Sequence, residues 1–326
     1  MKHSEAVRSA SLSRREFLAV AATVAASGTT GRAFAANSPI PIIDTHIHLF
    51  DAERPQGAPY QGPKEFVSHV SLPGDYRKFA KPFGVVGAIV VEASGWVEDN
   101  LWLLEVCERD DIMVGVVGRL APEKPEFAEY LERYHKNPLY RGIRVNQRYF
   151  PEALGNPTII QSLKLLAQAD LVMDTANPSL ALLQSMVRLN DAVPDLRIVI
   201  DHLPVMEPKP EELAPYQAAL AEIQQRPNIY VKLSEILHRV DGVVALDLTS
   251  HRERLDYLMG IFGEDRVLFG SDYPNSVGTA TFPQIVSVVQ EYFSSKPRTV
   301  AEKYFWKNSL RCYKWQQRSQ SQAMLT

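Results

Sequence analysis

Cysteine is almost missing from this chain: only Cys107 and Cys312 occur in 326 residues, which excludes a disulfide-stapled scaffold. Cys107 falls inside a helical pattern and Cys312 in the last helical stretch. No spacing brings them together, so two buried, free thiols are expected. No apolar run reaches the roughly 20 residues that a membrane-spanning helix needs. Charge of one sign is also scarce. The 35 Lys and Arg against 38 Asp and Glu give a net charge of −3 without a dense basic run, which leaves no electrostatic footprint for nucleic acid or an anionic membrane surface. Neither GxGxxG nor GxxxxGK[ST] follows the first apolar run, so the dinucleotide and P-loop forms of an open sheet gain no support. Internal repeats are absent as well. What is present, 45% hydrophobic residues with 17 Gly and 22 Pro, is ordinary globular composition, and a small molecule is the default partner.

The first 35 residues stand apart. Ser13-Arg14-Arg15-Glu16-Phe17-Leu18 precedes a mildly apolar stretch over 18–26 and then Ala33-Phe34-Ala35, an A-x-A cleavage site. This order resembles a twin-arginine export signal. It predicts a removable leader over 1–35, the twin-arginine machinery as a partner, and a periplasmic or secreted mature chain over 36–326. Removing the leader takes away five basic and two acidic residues, so the net charge falls from −3 to −6. Nucleic acid becomes a still poorer partner.

Along 36–326, Val- and Ile-rich runs alternate with polar loops and helical patterns. The runs cover 41–46, 85–92, 113–118, 142–145, 171–174, 197–201, 228–233 and 266–270. Helical periodicity is expected over 99–110, 125–135, 158–168, 179–193, 210–225, 251–262 and 282–292. Strands that are apolar throughout are buried on both faces, and eight of them in one α/β chain point to a single (β/α)₈ barrel, the TIM barrel. The connection from Phe50 to Phe83 holds Pro55, Pro59, Pro63, Pro73 and Pro82 and far exceeds the usual 2–6 residues. It is expected either to cover the barrel mouth or to pack on the wall as an Ω-loop.

Chemistry-bearing residues gather at the ends of these runs. In Asp44-Thr45-His46-Ile47-His48 the two imidazoles share a strand face. The sixth run ends on His202 and the eighth on Asp272. Singly, such residues are more often packed imidazoles or helix caps. Together, three imidazoles and a carboxylate at one mouth form the ligand set of a catalytic metal site with room for water. Arg144, at the end of the fourth run, suits a planar carboxylate, or else a salt bridge to Glu92 or Asp174. Glu92, Asp174, Lys232 and Tyr273 are further candidates for contact with substrate, with a buried ion pair as the alternative for Lys232. His238, Arg239 and His251, in or near the loop after the seventh run, are expected to face solvent.

These motifs, with Tyr140-Arg141-Gly142-Ile143-Arg144, Val231-Lys232-Leu233-Ser234, Phe269-Gly270-Ser271-Asp272-Tyr273-Pro274 and Asn308-Ser309-Leu310-Arg311-Cys312-Tyr313, resemble the amidohydrolase-2 branch of the amidohydrolase superfamily, which includes lactonases. The resemblance covers essentially all of 36–326. It implies a (β/α)₈ barrel with the His pair and the strand-eight Asp around the reactive centre. The chain departs from the wider superfamily, since strand four ends Arg144-Val145-Asn146 without a Lys and strand five offers no His. A lysine-bridged pair of metals is therefore not expected. The resemblance implies one divalent ion, zinc first, held by His46, His48, His202 and Asp272, although metal-free catalysis also fits this branch. The expected activity is opening of a sugar-derived or carboxylated lactone, with Asp272 taking the proton from water. Non-oxidative decarboxylation of an aromatic or muconate-type acid on the same barrel, or non-catalytic binding of an acid, are the alternatives.

Overall fold

Val, Ile and Met dominate eight segments whose side chains are nearly all buried, and each becomes a strand because a β-branched residue suits a pleat enclosed on both faces. The computed structural model describes residues 39–57, 70–146, 150, 152–175, 178–240 and 242–325. The expected leader lies outside them, as does part of the Phe50–Phe83 connection. The strands are β1 (Ile42–Ile47), β2 (Val85–Val91), β3 (Met113–Gly118), β4 (Tyr140–Val145), β5 (Val172–Thr175), β6 (Arg197–Ile200), β7 (Ile229–Lys232) and β8 (Val267–Leu268). They pair in parallel in chain order. A bridge from Ile47 to Tyr273 and the bonds Thr45 N to Phe269 O at 3.0 Å and Asp272 N to His46 O at 2.8 Å draw β1 and the segment after β8 together. The result is the nearly closed (β/α)₈ barrel that the sequence predicts.

Among the described residues seven helices lie between successive strands, α1 (Pro73–Ala80), α2 (Asp99–Glu108), α3 (Phe127–Tyr134), α4 (Pro157–Gln168), α5 (Leu180–Ala192), α6 (Leu213–Gln224) and α7 (Thr249–Phe262), and α8 (Phe282–Ser294) follows β8, with the shorter helices Arg298–Glu302 and Asn308–Tyr313 in the C-terminal segment. Side-chain caps start several of them: Asn156 accepts from Thr158 N, Ser179 from Leu182 N, and Thr281 with Gln284 forms a reciprocal capping box. Helix α1 lies in the stretch expected to be loop, and Pro73 sits in its first turn, where a missing N–H costs nothing. Beyond Phe50, Arg54 grips Asp99 of α2 through two bonds of 2.7 and 2.8 Å. Between β7 and α7 the chain makes a short hairpin, Arg239–Val240 with Val243–Val244.

Two apolar layers result. One lies between strands and helices; the other fills the barrel interior with Ile43, Ile89, Val91, Val117, Val172, Val199 and Leu268. Cys312, Tyr313, Trp315 and Leu325 join the inner layer, so the C-terminal segment closes the base while the opposite end is the mouth. Both cysteines are free and buried. Among the described residues no helix is long and apolar enough to cross a membrane.

Candidate active site

His46 and His48 stand two residues apart, so both imidazoles reach the same face at the mouth, with 3.2 Å between His46 Nε2 and His48 Nε2. Gly270 on the facing segment makes room, since a Cβ there would come within 2.9 Å of the His46 Cβ. The Val91 carbonyl lies 3.0 Å from His48 Nδ1, and because a carbonyl only accepts, that nitrogen donates and Nε2 keeps its lone pair. His202 follows β6 with φ +56°, and its Nδ1 meets Ser234 Oγ at 2.9 Å. Asp272 follows β8, also with φ +56°. Its Oδ1 lies 3.1 Å from His48 Nε2, 3.4 Å from His46 Nε2 and 3.9 Å from His202 Nε2.

Nitrogen ligands at about 2.0–2.1 Å around a tetrahedral ion stand a little over 3 Å from one another, so this spacing suits a divalent ion. Each of His46, His202 and Asp272 offers a ligand atom within 4.8 Å of the others, and His48 joins them through His46. These residues could hold a metal. Burial, reinforced for His46 and His202 by neighbouring charges, holds their rings well below the usual histidine range. Burial, then the Arg144 charge, brings His48 down to about 4. All three are neutral at pH 7, the form that ligates. Burial pushes the Asp272 carboxyl up to about 7.

The remaining candidates divide. Arg144 stays partly open at the mouth and pairs with Asp201, Nε to Oδ2 at 3.6 Å, instead of with Glu92 or Asp174. Glu92 lies 3.9 Å from Arg119. Lys232 and Asp174 are fully enclosed below the imidazoles and 2.6 Å apart, with Lys232 also 3.0 Å from Asp201. Tyr273 is buried against Tyr76 and Phe79, with ring centroids 5.4 and 5.8 Å away. His251 does not face solvent; it is buried, with Nε2 2.8 Å from the Ala245 carbonyl. His238 is mostly covered as well, with its Nδ1 2.9 Å from the Ile236 carbonyl.

Two acids were not singled out from sequence. Asp201 closes β6 beside His202, and an Asp-His pair at a strand end was the available signal. Glu235, with φ +51°, hydrogen-bonds Asp272 and is pushed up to about 8 by burial, then by the Asp272 charge. Nothing in its local sequence, Leu233-Ser234-Glu235-Ile236, marks the contact.

The amidohydrolase family model matches residues 43–315. An L-fucono-1,5-lactonase of Burkholderia ambifaria is 25% identical over 241 residues, 72% of this chain and 80% of that protein. Among solved structures, an amidohydrolase of Burkholderia multivorans with bound zinc superposes with a TM-score of 0.73 at 23% identity, over 85% of this chain and all of that one. A 5-carboxyvanillate decarboxylase of Novosphingobium aromaticivorans with bound manganese reaches a TM-score of 0.62 at 15% identity, over 84% of this chain and 97% of that one.

Proposed function

The chain belongs to the amidohydrolase family, and from that premise we propose that it is a lactonase, opening a cyclic ester that carries a carboxylate or sugar hydroxyls. The observation that carries this reading is the meeting of three neutral imidazoles and one carboxylate at the barrel mouth. The name of the Burkholderia ambifaria relative supports the substrate class. His46, His48, His202 and Asp272 would hold one divalent ion, zinc first, and that ion when bound supplies Lewis-acid polarisation at the ester carbonyl. Asp272 accepts a proton from the attacking water and returns it to the ring oxygen as the C–O bond breaks. Arg144, partly open at the mouth, offers two parallel hydrogen bonds to a substrate carboxylate, and Glu92 lies where a substrate hydroxyl could meet it. A lactone suits this modest machinery because its alkoxide leaves with less help than an amine.

Decarboxylation on the same barrel would draw on a further imidazole at the end of β7. Ser234 stands there instead, 2.9 Å from His202 Nδ1. Export by the twin-arginine machinery, to the periplasm or beyond, completes the reading; Arg14-Arg15 and Ala33-Phe34-Ala35 support it. The test is a panel of sugar and carboxylated lactones assayed for acid release with zinc, with manganese and with a chelator, while carbon dioxide is followed in parallel. Zinc-stimulated acid release is expected. Carbon dioxide without acid release, or no turnover under any condition, would overturn the assignment.

A further inference from the structure

Below the imidazoles runs a column of polar groups that the proposed chemistry does not use. Tyr313, on the C-terminal helix that closes the base, donates its hydroxyl to Asp174, with oxygen separations of 2.9 and 3.0 Å. Asp174 accepts from Lys232 Nζ at 2.6 Å. The same ammonium lies 3.0 Å from Asp201 Oδ1 and 3.3 Å from His46 Nδ1. Asp201 Oδ2 is 3.5 Å from that nitrogen. Asp174, Asp201 and Lys232 have no solvent exposure at all.

Ion pairs so deeply enclosed add little stability over an apolar core of the same volume, and an apolar core surrounds them: Ile43, Val172, Val199 and Leu268 fill the same interior. Their benefit is directional. An ammonium has three donors and no acceptor, and Lys232 directs them at Asp174 and Asp201. Asp201 Oδ2 is the acceptor near His46 Nδ1; with the ring proton on that nitrogen, Nε2 keeps the lone pair a ligand needs, so the angle of the His46 ring depends on where Lys232 holds Asp201. We propose that Tyr313, Asp174, Lys232 and Asp201 form a strut that reaches from the closed base of the barrel and positions His46 for the reactive centre. Lys232 and Asp174 are thus positioning residues and not contacts for substrate. Ring orientation by such partners tunes metal affinity, and the inference rests to that extent on the proposed ligand role of His46.

The test uses the full mature chain, with zinc alone as the probe in competition with a chelator, and nitrogen NMR of the histidine rings in the metal-free protein. Lys232→Met should lose roughly tenfold to a hundredfold in zinc affinity. Tyr313→Phe, which removes one hydroxyl and keeps the ring, should lose about tenfold, near the lower end of that range. In both variants the His46 ring signals should move while those of His48, anchored on the Val91 carbonyl, stay in place. Arg318→Ala serves as the control, because Arg318 also ties the C-terminal segment to the base without touching the strut; it should lose stability and keep zinc affinity. Unchanged zinc affinity in Tyr313→Phe, or an equal loss in Arg318→Ala, would overturn the strut. Should the unaltered protein bind no zinc, the metal reading fails by itself, and the strut then stands or falls on whether the His46 signals move.

Discussion

The two ends of the barrel satisfy charge in opposite ways. At the base, two enclosed arginines end on neutral backbone carbonyls, while ion pairs stay at the surface: Arg318 reaches those of Cys107, Asp110 and Met113 at 2.6–3.0 Å, and Arg266 those of Ile223, Arg226, Ile229 and Phe262 at 2.9–3.2 Å. At the mouth, titratable groups meet one another, with Asp272 facing three imidazoles and the Glu235 carboxyl. Backbone strain follows the same division. Among the described residues, five other than glycine have positive φ. His202, Glu235 and Asp272 crowd the mouth, whereas Asp170 and Lys314, at the base, clasp each other on the surface through an ion pair of 2.6 Å. A left-handed residue costs on the order of 1–3 kcal/mol, and at the mouth that cost keeps imidazoles and carboxyls aimed at one point. Arginines that end on carbonyls give rigidity; acids that end on imidazoles give reactivity.

The sharpest way to break this comparison is to alter one atom at the mouth. Asp272→Asn keeps the volume and removes the base, so kcat on a lactone substrate should fall roughly 10²–10⁴-fold, with the circular dichroism spectrum unchanged and melting no lower. Near-normal turnover would remove Asp272 from the chemistry. The complementary change at the base is Arg318→Ala. It removes the side-chain bonds to the carbonyls of Cys107, Glu108, Asp110 and Met113, and at about 0.5–1.5 kcal/mol net for a hydrogen bond the denaturation midpoint should drop clearly while kcat stays within about twofold. A large fall in kcat with stability intact would show that the two ends are not separable in this way.

Much of the base and only part of the mouth can be read along the chain. Strands announce themselves because a residue buried on both faces must be apolar, and the eight Val- and Ile-rich runs fall on β1 to β8. His46, His48, His202 and Asp272 are legible because each stands at or just past the end of a mostly apolar run. Helix α1 is not: proline count suggests loop, yet Pro73 occupies the helical turn where proline is tolerated. His251 is misread because the hairpin before α7 folds the Ala245 carbonyl over its ring. Glu235 and Asp201 gain their importance from barrel closure, which sets residues from different strands face to face across distances that no local spacing encodes.

The smallest expected effect sharpens the comparison most selectively, because it depends on pH at one end and not at the other. His48 is held neutral, its ring brought down to about 4 from an ordinary 6.5, first by burial and then by Arg144. A group whose pKa is lowered on folding supports the fold fully above its ordinary value and loses that support as pH falls toward the lowered one. At pH 5 the unfolded ring has taken up a proton that the folded ring refuses, a cost of about 2 kcal/mol. His48→Asn, whose amide can still donate to the Val91 carbonyl, escapes that cost. In metal-free protein its stability relative to the unaltered chain should therefore improve by about 2 kcal/mol between pH 7.5 and pH 5, read from urea midpoints at the two values. Asp272, pushed up to about 7, acts in the other direction, losing support as pH rises through 7, but it is present in both proteins and drops out of their difference. Arg318→Ala leaves the mouth untouched, so its deficit should be the same at both values. A pH-independent offset for His48→Asn would mean that its imidazole is hydrated and not held neutral.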